Sequence, residues 1–393
     1  MSTRWKTHPR FAGLKLREDT SFASDTREEV DYQELKDLLL SRDFDAYEEY
    51  KARLLDDEVI RFLNNKPING ERVSYLTYTR SGNTFLRKYI ELVTGVVTGS
   101  EFTTRVPFPF QLQGLIGEHV VDDTVFVIKC HFPLRFGPLD YPVNKILVCT
   151  RSPFNVIRSN LEFFQGGSNQ AQVENDIPKE DPETWNDIVL HHVKEIVLYF
   201  NHLMQKLDAG FPMYFTRFEE LISSPNEEVL GVFKFLYNTT DTDGTVLEKR
   251  INDLIEEGAA KKTQTYKMKG KGKHYACDED MFNAAQKKAL FSKLFDFLWF
   301  FGYWKSDDPA HAEFQHLAKF DIPDYLKNQK SKFQYCQYKM QNEKTLEWIS
   351  GSTQEERQKK EWVVKGGKTF YAFHRCKMEL KIRDPYFPTE DNA

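Results

Sequence analysis

The sequence has few cysteines, lacks a long apolar run and carries little net charge. Its five cysteines are widely spaced, odd in number and form no CxxC pair, which argues against a disulfide framework or a zinc site and for a reducing compartment. No apolar run approaches the roughly 18 residues of a membrane span, and no signal-peptide core is present. A net charge of −5 over 393 residues does not indicate nucleic-acid binding. These absences together favour a cytoplasmic protein.

The sequence does have the composition of a folded protein, with 40% hydrophobic and 14% aromatic residues. Residues 1–17 hold five basic residues and no acidic one. That bias is compatible with a mitochondrial transit peptide, although Pro9 and weak amphipathicity count against this interpretation. It is equally typical of a solvated basic surface, just as the acidic stretch at residues 18–58 is typical of a solvated acidic one.

From residue 71 onward strand-like and helix-like patterns alternate, which is typical of a parallel sheet with helical crossovers. The expected strands are Val73–Thr79, Thr124–Lys129, Lys145–Thr150 and Met213–Arg217. The expected helices are Thr84–Thr94, Pro153–Phe164, Thr184–Leu207, Asn226–Tyr237, Gly244–Glu257 and Asp278–Phe301. We predict a three-layer α/β/α core at residues 71–305 with a central, mainly parallel sheet. It follows an N-terminal helical arm at residues 1–70 and precedes a Lys- and aromatic-rich C-terminal extension at residues 306–393.

The most informative segment is the turn at residues 78–85, Tyr-Thr-Arg-Ser-Gly-Asn-Thr-Phe. It follows an expected strand and opens an expected helix, so the first backbone N–H groups of that helix have no intrahelical partners. Those donors, the positive end of the helix dipole and the guanidinium of Arg80 predict an anion site. The segment is not a Walker A loop, because it lacks the GxxxxGK[ST] pattern.

Two further segments end expected strands, and the carboxyl ends of parallel strands meet at one edge of a sheet. In the first, Lys129 and His131 are two residues apart and share a face of the strand. An imidazole suits a general base near neutral pH, and a hydrogen-bonded structural histidine is the alternative. In the second, Arg151 ends a strand and Ser159 follows on the next helix. This pair predicts a second phosphate site or, alternatively, a capped helix with an incidental arginine.

Taken together, these segments resemble the sulfotransferases that use 3′-phosphoadenosine 5′-phosphosulfate (PAPS). Residues 77–84 resemble the 5′-phosphosulfate loop of that family, and Lys129-x-His131-Phe132-Pro133 is similar to its Lys-x-His-Leu-Pro segment. Arg151 and Ser159 match the pair that grips the 3′-phosphate. Three later segments resemble the family in the same order along the chain: the strand end at 217–221, the basic flap at 267–272 and the helix end at 298–303.

The resemblance implies transfer of a sulfuryl group from PAPS to an acceptor hydroxyl or amine, which leaves 3′-phosphoadenosine 5′-phosphate (PAP) and needs no metal. It implies that His131 is the catalytic base and that Lys129 and Arg80 neutralise charge on the transferring group. It also implies that the nucleotide is bound by Arg80, Ser81, Gly82, Asn83, Thr84, Phe85, Arg151, Ser159, Lys269 and Gly270.

Several residues depart from the family's pattern. Arg80 replaces a lysine, and because a guanidinium keeps its proton at neutral pH it would stabilise charge without acting as an acid. Phe85 stands where a tryptophan often stacks on adenine, and Phe218 lacks the hydroxyl of the family's tyrosine. Met268 replaces a flap arginine, and Cys277-Asp278 replaces the Thr-Val of a dimer motif.

The acceptor stays open among small molecules, proteins and glycans, with residues 102–115 and 163–182 expected to line its pocket. Two other classes of protein also stay open. A catalytically silent protein could keep this fold as a structural subunit whose terminal arms pack on a partner, in a cytoskeletal or other assembly. A nucleotide kinase of related topology is the third class, and the sequence lacks the P-loop Lys-Ser/Thr that it needs.

Overall fold

A computed structural model describes residues 30–54, 60–64, 72–101, 115–118, 120–132, 141–166, 177–256, 281–304, 336–358 and 362–364. The strands within these ranges are β1 (Val73–Tyr78), β2 (Gly99–Ser100), β3 (Val127–Phe132), β4 (Tyr141–Val143), β5 (Lys145–Thr150), β6 (Met213–Arg217) and β7 (Trp362–Val364). The helices are α1 (Tyr32–Leu40), α2 (Phe44–Leu54), α3 (Asn83–Thr94), α4 (Pro153–Gly166), α5 (Ile177–Glu180), α6 (Pro182–Asp208), α7 (Phe218–Ser223), α8 (Pro225–Tyr237), α9 (Val246–Glu256), α10 (Ala284–Phe300), α11 (Gln337–Gly351) and α12 (Gln354–Gln358).

Five strands form a parallel sheet in the order β2-β3-β1-β5-β6. The central strand, β1, pairs with both β3 and β5, so Thr77 lies between His131 and Cys149. Every residue of β1 and β5 is buried, as expected for parallel strands covered by helices on both faces. The site residues that follow β1 and β5, and those near the end of β3, therefore lie at one edge of the sheet.

The core has two halves, one on each face of the sheet. On one face, α4, α6 and α10 pack around residues such as Ile146, Val148 and Phe215. On the other face, α1, α3, α8 and α9 pack around Tyr75 and Leu147. This arrangement confirms the expected three-layer α/β/α architecture with a parallel central sheet.

All four expected strands lie in the sheet, but β3 begins three residues later than expected. The delay has a local cause, since the Asp122 carboxylate accepts hydrogen bonds from the backbone N–H and the hydroxyl of Thr124, at 2.9 and 2.5 Å, and holds that segment in a turn. The strand then runs on to Phe132. Lys129 and His131 consequently lie inside β3, not at and beyond its end.

The segments on either side of the sulfotransferase-like core also contact it. The acidic stretch near the start forms α1 and α2, as expected, and α1 packs against α9. Near the other end, α11 packs on the edge strand β6, and β7 pairs antiparallel with β4. The division of the chain into residues 1–70, 71–305 and 306–393 stays a proposal, and both flanking regions share packing with the core.

Candidate active site

The turn between β1 and α3 has an unusual backbone conformation. Arg80 and Gly82 have positive φ angles of 65° and 87°, and Gly82 occupies the N-cap position of α3, where no side chain caps the helix. A Cβ on Gly82 would lie only 2.4 Å from Cδ2 of Phe218, so both the φ angle and the space require glycine. The first N–H groups of α3, on Asn83 and Thr84, have no side-chain cap. Uncapped N–H groups at the start of a helix suit the binding of an anion.

The structure brings the turn at residues 78–85 into direct contact with the segment that carries Arg151 and Ser159. Arg80 Nε donates to Ser159 Oγ at 3.1 Å, and Arg151 Nη1 donates to the backbone oxygen of Arg80 at 3.1 Å. The guanidinium of Arg151 also lies over the ring of Phe218, 4.7 Å from its centroid. Two arginines and a serine from separate elements therefore meet beside the turn, and Ser81 lies buried beneath them.

His131 lies next to this turn on the neighbouring strand. Its Nδ1 is 3.1 Å from Thr77 Oγ1 and 3.3 Å from Asn83 Nδ2. Asn83 Nδ2 also donates to Thr77 Oγ1 at 2.6 Å. Thr77 Oγ1 can accept a second hydrogen bond from an Nδ1–H of His131, and in that tautomer Nε2 keeps the lone pair that a base needs.

Lys129 shares a face of β3 with His131, as expected, but its ammonium lies in the core. The residue is 5% exposed, and its Nζ is 3.8 Å from Oε1 of Glu118, the oxygen that also binds Arg87. Burial lowers the pKa of Lys129 to about 8, although the Glu118 carboxylate favours the charged form. Lys129 therefore does not open onto a cleft shared with His131, and its proposed role in neutralising a transferring group stays a prediction.

A carboxyl group that the sequence did not reveal lies beside His131. Glu101, 7% exposed, follows β2 at the end of the sheet, and its Oε1 accepts from the backbone N–H of His131 at 3.2 Å. Burial raises its pKa to about 8, against the opposing effects of Cys130, the His131 N–H and Lys129. A strand of two residues is too short to show a period, so no pattern in the sequence marks this residue.

The aromatic side chains expected near the nucleotide pack on each other. Phe85 is 4% exposed, and its ring centroid lies 5.0 Å from that of Tyr89 and 5.9 Å from that of Phe218. Phe85 is therefore part of the core beneath the turn, and stacking on adenine stays a prediction. Lys269 and Gly270 lie outside the described residues, as do residues 102–114 of the expected acceptor pocket.

Adjacent carboxylates at the end of β6 point in different directions. Glu219 Oε1 accepts from the backbone N–H of Ser152 at 2.9 Å, next to Arg151. Glu220 Oε1 instead accepts from Arg217 Nη2 at 2.7 Å. The two carboxylates therefore have different partners and do not form an acid–base pair.

Among the residues that the structure describes, no cluster of three or more His, Cys, Asp or Glu side chains could hold a metal ion. None of the helices in the same ranges is long and apolar enough to cross a membrane.

The parallel sheet and the turn after its central strand fall within the part of the chain that a known family model matches. The family model described as Sulfotransferase domain matches residues 71–293, more than half of the chain, and the chain belongs to this family. The match begins just before β1 and covers the segments that carry Arg80, His131, Arg151 and Ser159.

Individual relatives are distant. A WSCD family member of Aedes aegypti is 29% identical over 106 residues, covering 26% of this chain and 32% of that protein. A WSCD family member of Drosophila pseudoobscura pseudoobscura is 22% identical over 205 residues, covering 51% of this chain and 61% of that protein. The chain thus spans about a third and three fifths of the length of these curated relatives. The crystal structure of mouse sulfotransferase SULT7A1 complexed with PAP is 14% identical, with a TM-score of 0.35 over 63% of this chain and 90% of that one.

Proposed function

We propose that this chain transfers a sulfuryl group from PAPS to a hydroxyl or amine acceptor. The observation that carries the proposal is the meeting of Arg80, Ser159 and Arg151 beside the uncapped start of α3. Two permanent guanidinium charges and a set of helix N–H donors suit a ligand with two separate anionic groups. A nucleotide that carries a 3′-phosphate and a 5′-phosphosulfate is such a ligand.

Each group at the carboxyl end of the parallel strands has a distinct proposed task. The backbone N–H groups of residues 81–84 and the Thr84 hydroxyl hold the 5′-phosphate, and Arg151 with Ser159 holds the 3′-phosphate. Lys269 and Gly270 are proposed to close over the nucleotide, and Phe85 to support the adenine. PAPS supplies the sulfuryl group, whose bond to the 5′-phosphate oxygen breaks as the bond to the acceptor forms, leaving PAP. Arg80 stabilises the negative charge on the oxygens of the transferring group and keeps its own proton.

The proposed base is His131, which takes the acceptor proton on Nε2. The Thr77 hydroxyl supports this role, because it can accept from Nδ1–H and fix the tautomer. Glu101 is a second group at the same edge that can exchange a proton near neutral pH, since burial raises its pKa to about 8. Lys129 is proposed to neutralise charge on the transferring group, and its Nζ lies 3.8 Å from Oε1 of Glu118.

The acceptor class belongs to the same proposal and is open among small molecules, proteins and glycans. A cytoplasmic location is supported by the buried thiols of Cys130, Cys149 and Cys336, which form no disulfide among the described residues. A silent protein that keeps the fold within a larger assembly is the second candidate.

A binding and transfer experiment separates these two candidates. We expect PAP to bind the purified full chain in isothermal titration calorimetry, and labelled sulfate from PAPS to reach at least one member of an acceptor panel. Absence of PAP binding would end the enzyme proposal, whereas binding without transfer to any acceptor would favour the silent protein.

Variants of one histidine test the base. His131→Ala should abolish transfer and leave the PAP dissociation constant nearly unchanged, because the imidazole acts on the acceptor. The matched control is His191→Gln on α6, a partly exposed histidine 3.2 Å from Glu195, which should transfer at the wild-type rate. Unchanged turnover in His131→Ala would assign the proton to another group, of which Glu101 is the first to test by Glu101→Gln.

A further inference from the structure

The turn that carries Arg151 is hydrogen-bonded to the carboxylate of Glu219. Glu219 accepts the Ser152 N–H through Oε1 at 2.9 Å and the Tyr303 hydroxyl through Oε2 at 2.9 Å. Ser152 immediately precedes α4, the helix that carries Ser159. The position of both proposed 3′-phosphate ligands therefore depends on where Glu219 is held.

Tyr303 is also part of an arginine clamp, which consists of the Arg217 guanidinium and the rings of Tyr303 and Tyr338. The guanidinium of Arg217 lies between two aromatic rings, 5.3 Å from the centroid of Tyr303 and 5.5 Å from that of Tyr338. Its Nη1 donates to the backbone oxygens of Phe301 and Gly302, both at 3.1 Å. These contacts fix the segment that ends in Tyr303 against the end of β6.

The second ring of the clamp comes from the C-terminal extension. Tyr338, in the first turn of α11 and fully buried, donates its hydroxyl to Oε2 of Glu220, whose Oε1 accepts from Arg217. Lys339 adds a second charge, with Nζ 3.5 Å from Glu220 and 3.7 Å from Glu228. One helix turn thus supplies an aromatic ring, a hydroxyl and an ammonium to the group around Arg217.

The rest of α11 is fastened to β6 farther from the nucleotide side. Asn342 hydrogen-bonds the backbone of Phe215 and Thr345 Oγ1 donates to the backbone oxygen of Met213 at 3.0 Å. Ile349 is buried in the core. These anchors hold α11 along the strand, and only its first turn reaches the Arg217 clamp.

We infer that Tyr338 is a positioning residue for the nucleotide site, acting through Glu220, Arg217, Tyr303 and Glu219 on the Arg151–Ser152 turn. The role rests on the proposed function, because the turn is assigned to the 3′-phosphate there. The links from Tyr338 to Glu219 are contacts between side chains, and the last link is the hydrogen bond from the backbone N–H of Ser152 to Glu219. The C-terminal extension is accordingly a part of the nucleotide site's framework, although none of its described residues is proposed to touch the nucleotide.

Two measurements on Tyr338→Phe test this inference. The variant keeps the ring and removes only the hydroxyl that binds Glu220. We expect faster hydrogen exchange at the Ser152 amide and a higher dissociation constant for PAP, each by about 2- to 30-fold, the usual size of a coupling carried through a packed network. Glu220→Gln, which keeps the shape of the acceptor, gives the same test if Tyr338→Phe is poorly folded.

The matched control is Thr345→Val, which weakens the same helix on the same strand without touching the clamp. It should lower the melting temperature but leave Ser152 exchange and PAP affinity within about twofold of wild type, since its contact lies outside the coupled path. Equal behaviour of Tyr338→Phe and Thr345→Val in both measurements would overturn the inference. If wild type binds no PAP while Ser152 exchange still responds to Tyr338→Phe, the proposed function fails and the positioning of the turn stands.

Discussion

Asn342 binds both backbone groups of Phe215 with its side-chain amide. Its Oδ1 accepts from the Phe215 N–H at 2.8 Å, and its Nδ2 donates to the Phe215 carbonyl at 2.6 Å. Since β6 is the last strand of the sheet, these two groups would otherwise have no strand to pair with on that side. A single amide from α11 thus supplies the hydrogen bonds that a further strand would have made at this residue.

Replacing Asn342 should therefore destabilise the fold. Asn342→Leu keeps the branch at Cγ but leaves two buried backbone groups unpaired, at about 1–3 kcal/mol for each group in the free energy of unfolding. Urea unfolding followed by circular dichroism measures the loss. The control is Glu343→Gln, on the exposed side of the same helix, which should unfold like wild type. Equal stabilities for Asn342→Leu and Glu343→Gln would show that the amide contributes nothing.

Gly82→Ala should disturb the turn between β1 and α3 in two ways. The added Cβ brings backbone strain at φ 87° and an overlap with the Phe218 ring, whereas Gly210→Ala brings strain at φ 84° into open space. We expect Gly210→Ala to lower stability by about 1–2 kcal/mol and Gly82→Ala to lower it by about 1–3 kcal/mol more, because a packed side chain must move. Denaturant unfolding of both variants checks this order, which the reverse ranking would contradict.

The raised pKa of Glu101 predicts a pH-dependent stability. Burial raises this pKa from the ordinary 4.5 to about 8, so the folded chain prefers the neutral carboxyl and the stability it contributes is fully present below pH 4.5. As pH rises from 4.5 through about 8, that contribution is lost, because the unfolded chain releases the proton first. Glu101→Gln cannot ionise and should become more stable relative to wild type across this window. Parallel stability curves for the two proteins between pH 5 and 8 would contradict the assignment.

Arg151 and Ser159 should differ in their effect on nucleotide affinity. Arg151→Met removes both a positive charge and its donors from the 3′-phosphate and should raise the PAP dissociation constant by about 10- to 150-fold. Ser159→Ala removes a single uncharged donor to the same phosphate and should raise the dissociation constant by a smaller factor. The matched control is Arg158→Met, because that arginine pairs with Glu162 on α4, with 36% of its side chain exposed. Calorimetry on the three variants measures the series. An equal loss in Arg158→Met would mean that the effect is one of general charge.

The architecture could be predicted from the sequence, and the structure brings the turn after β1 into contact with Arg151 and Ser159. Four of the five strands in the parallel sheet have buried β-branched or aromatic runs long enough to recognise, and the Ser-Gly turn marked the start of α3. The predicted bounds of β3 were wrong by three residues, because a side-chain turn at Asp122 and Thr124 delays the strand. Because the strand runs on to Phe132, Lys129 lies inside it, and its ammonium is in the core with Glu118.

Two other features had no readable signal. The two residues of β2 are too few to show alternation, so Glu101 could not be placed beside His131. The contact face of α11 is formed by Tyr338, Asn342, Thr345 and Ile349, which are buried at helical spacing. Two of these four are polar and bind backbone groups of β6, so a search for apolar periodicity passes over the helix.

The contacts that build the proposed nucleotide site join residues far apart along the chain. Arg80 and Ser159 are separated by 79 positions, and Thr77 and His131 by 54. A contact of this kind exists only after the strands between which it lies have paired, and such long loops close slowly in folding. Hence no short segment of the chain carries the site by itself, and peptides cut from residues 71–100 should have no affinity for PAP. Nucleotide binding would then require the whole sheet to be formed. PAP should therefore raise the midpoint of global unfolding, and the chain should still unfold in one cooperative transition.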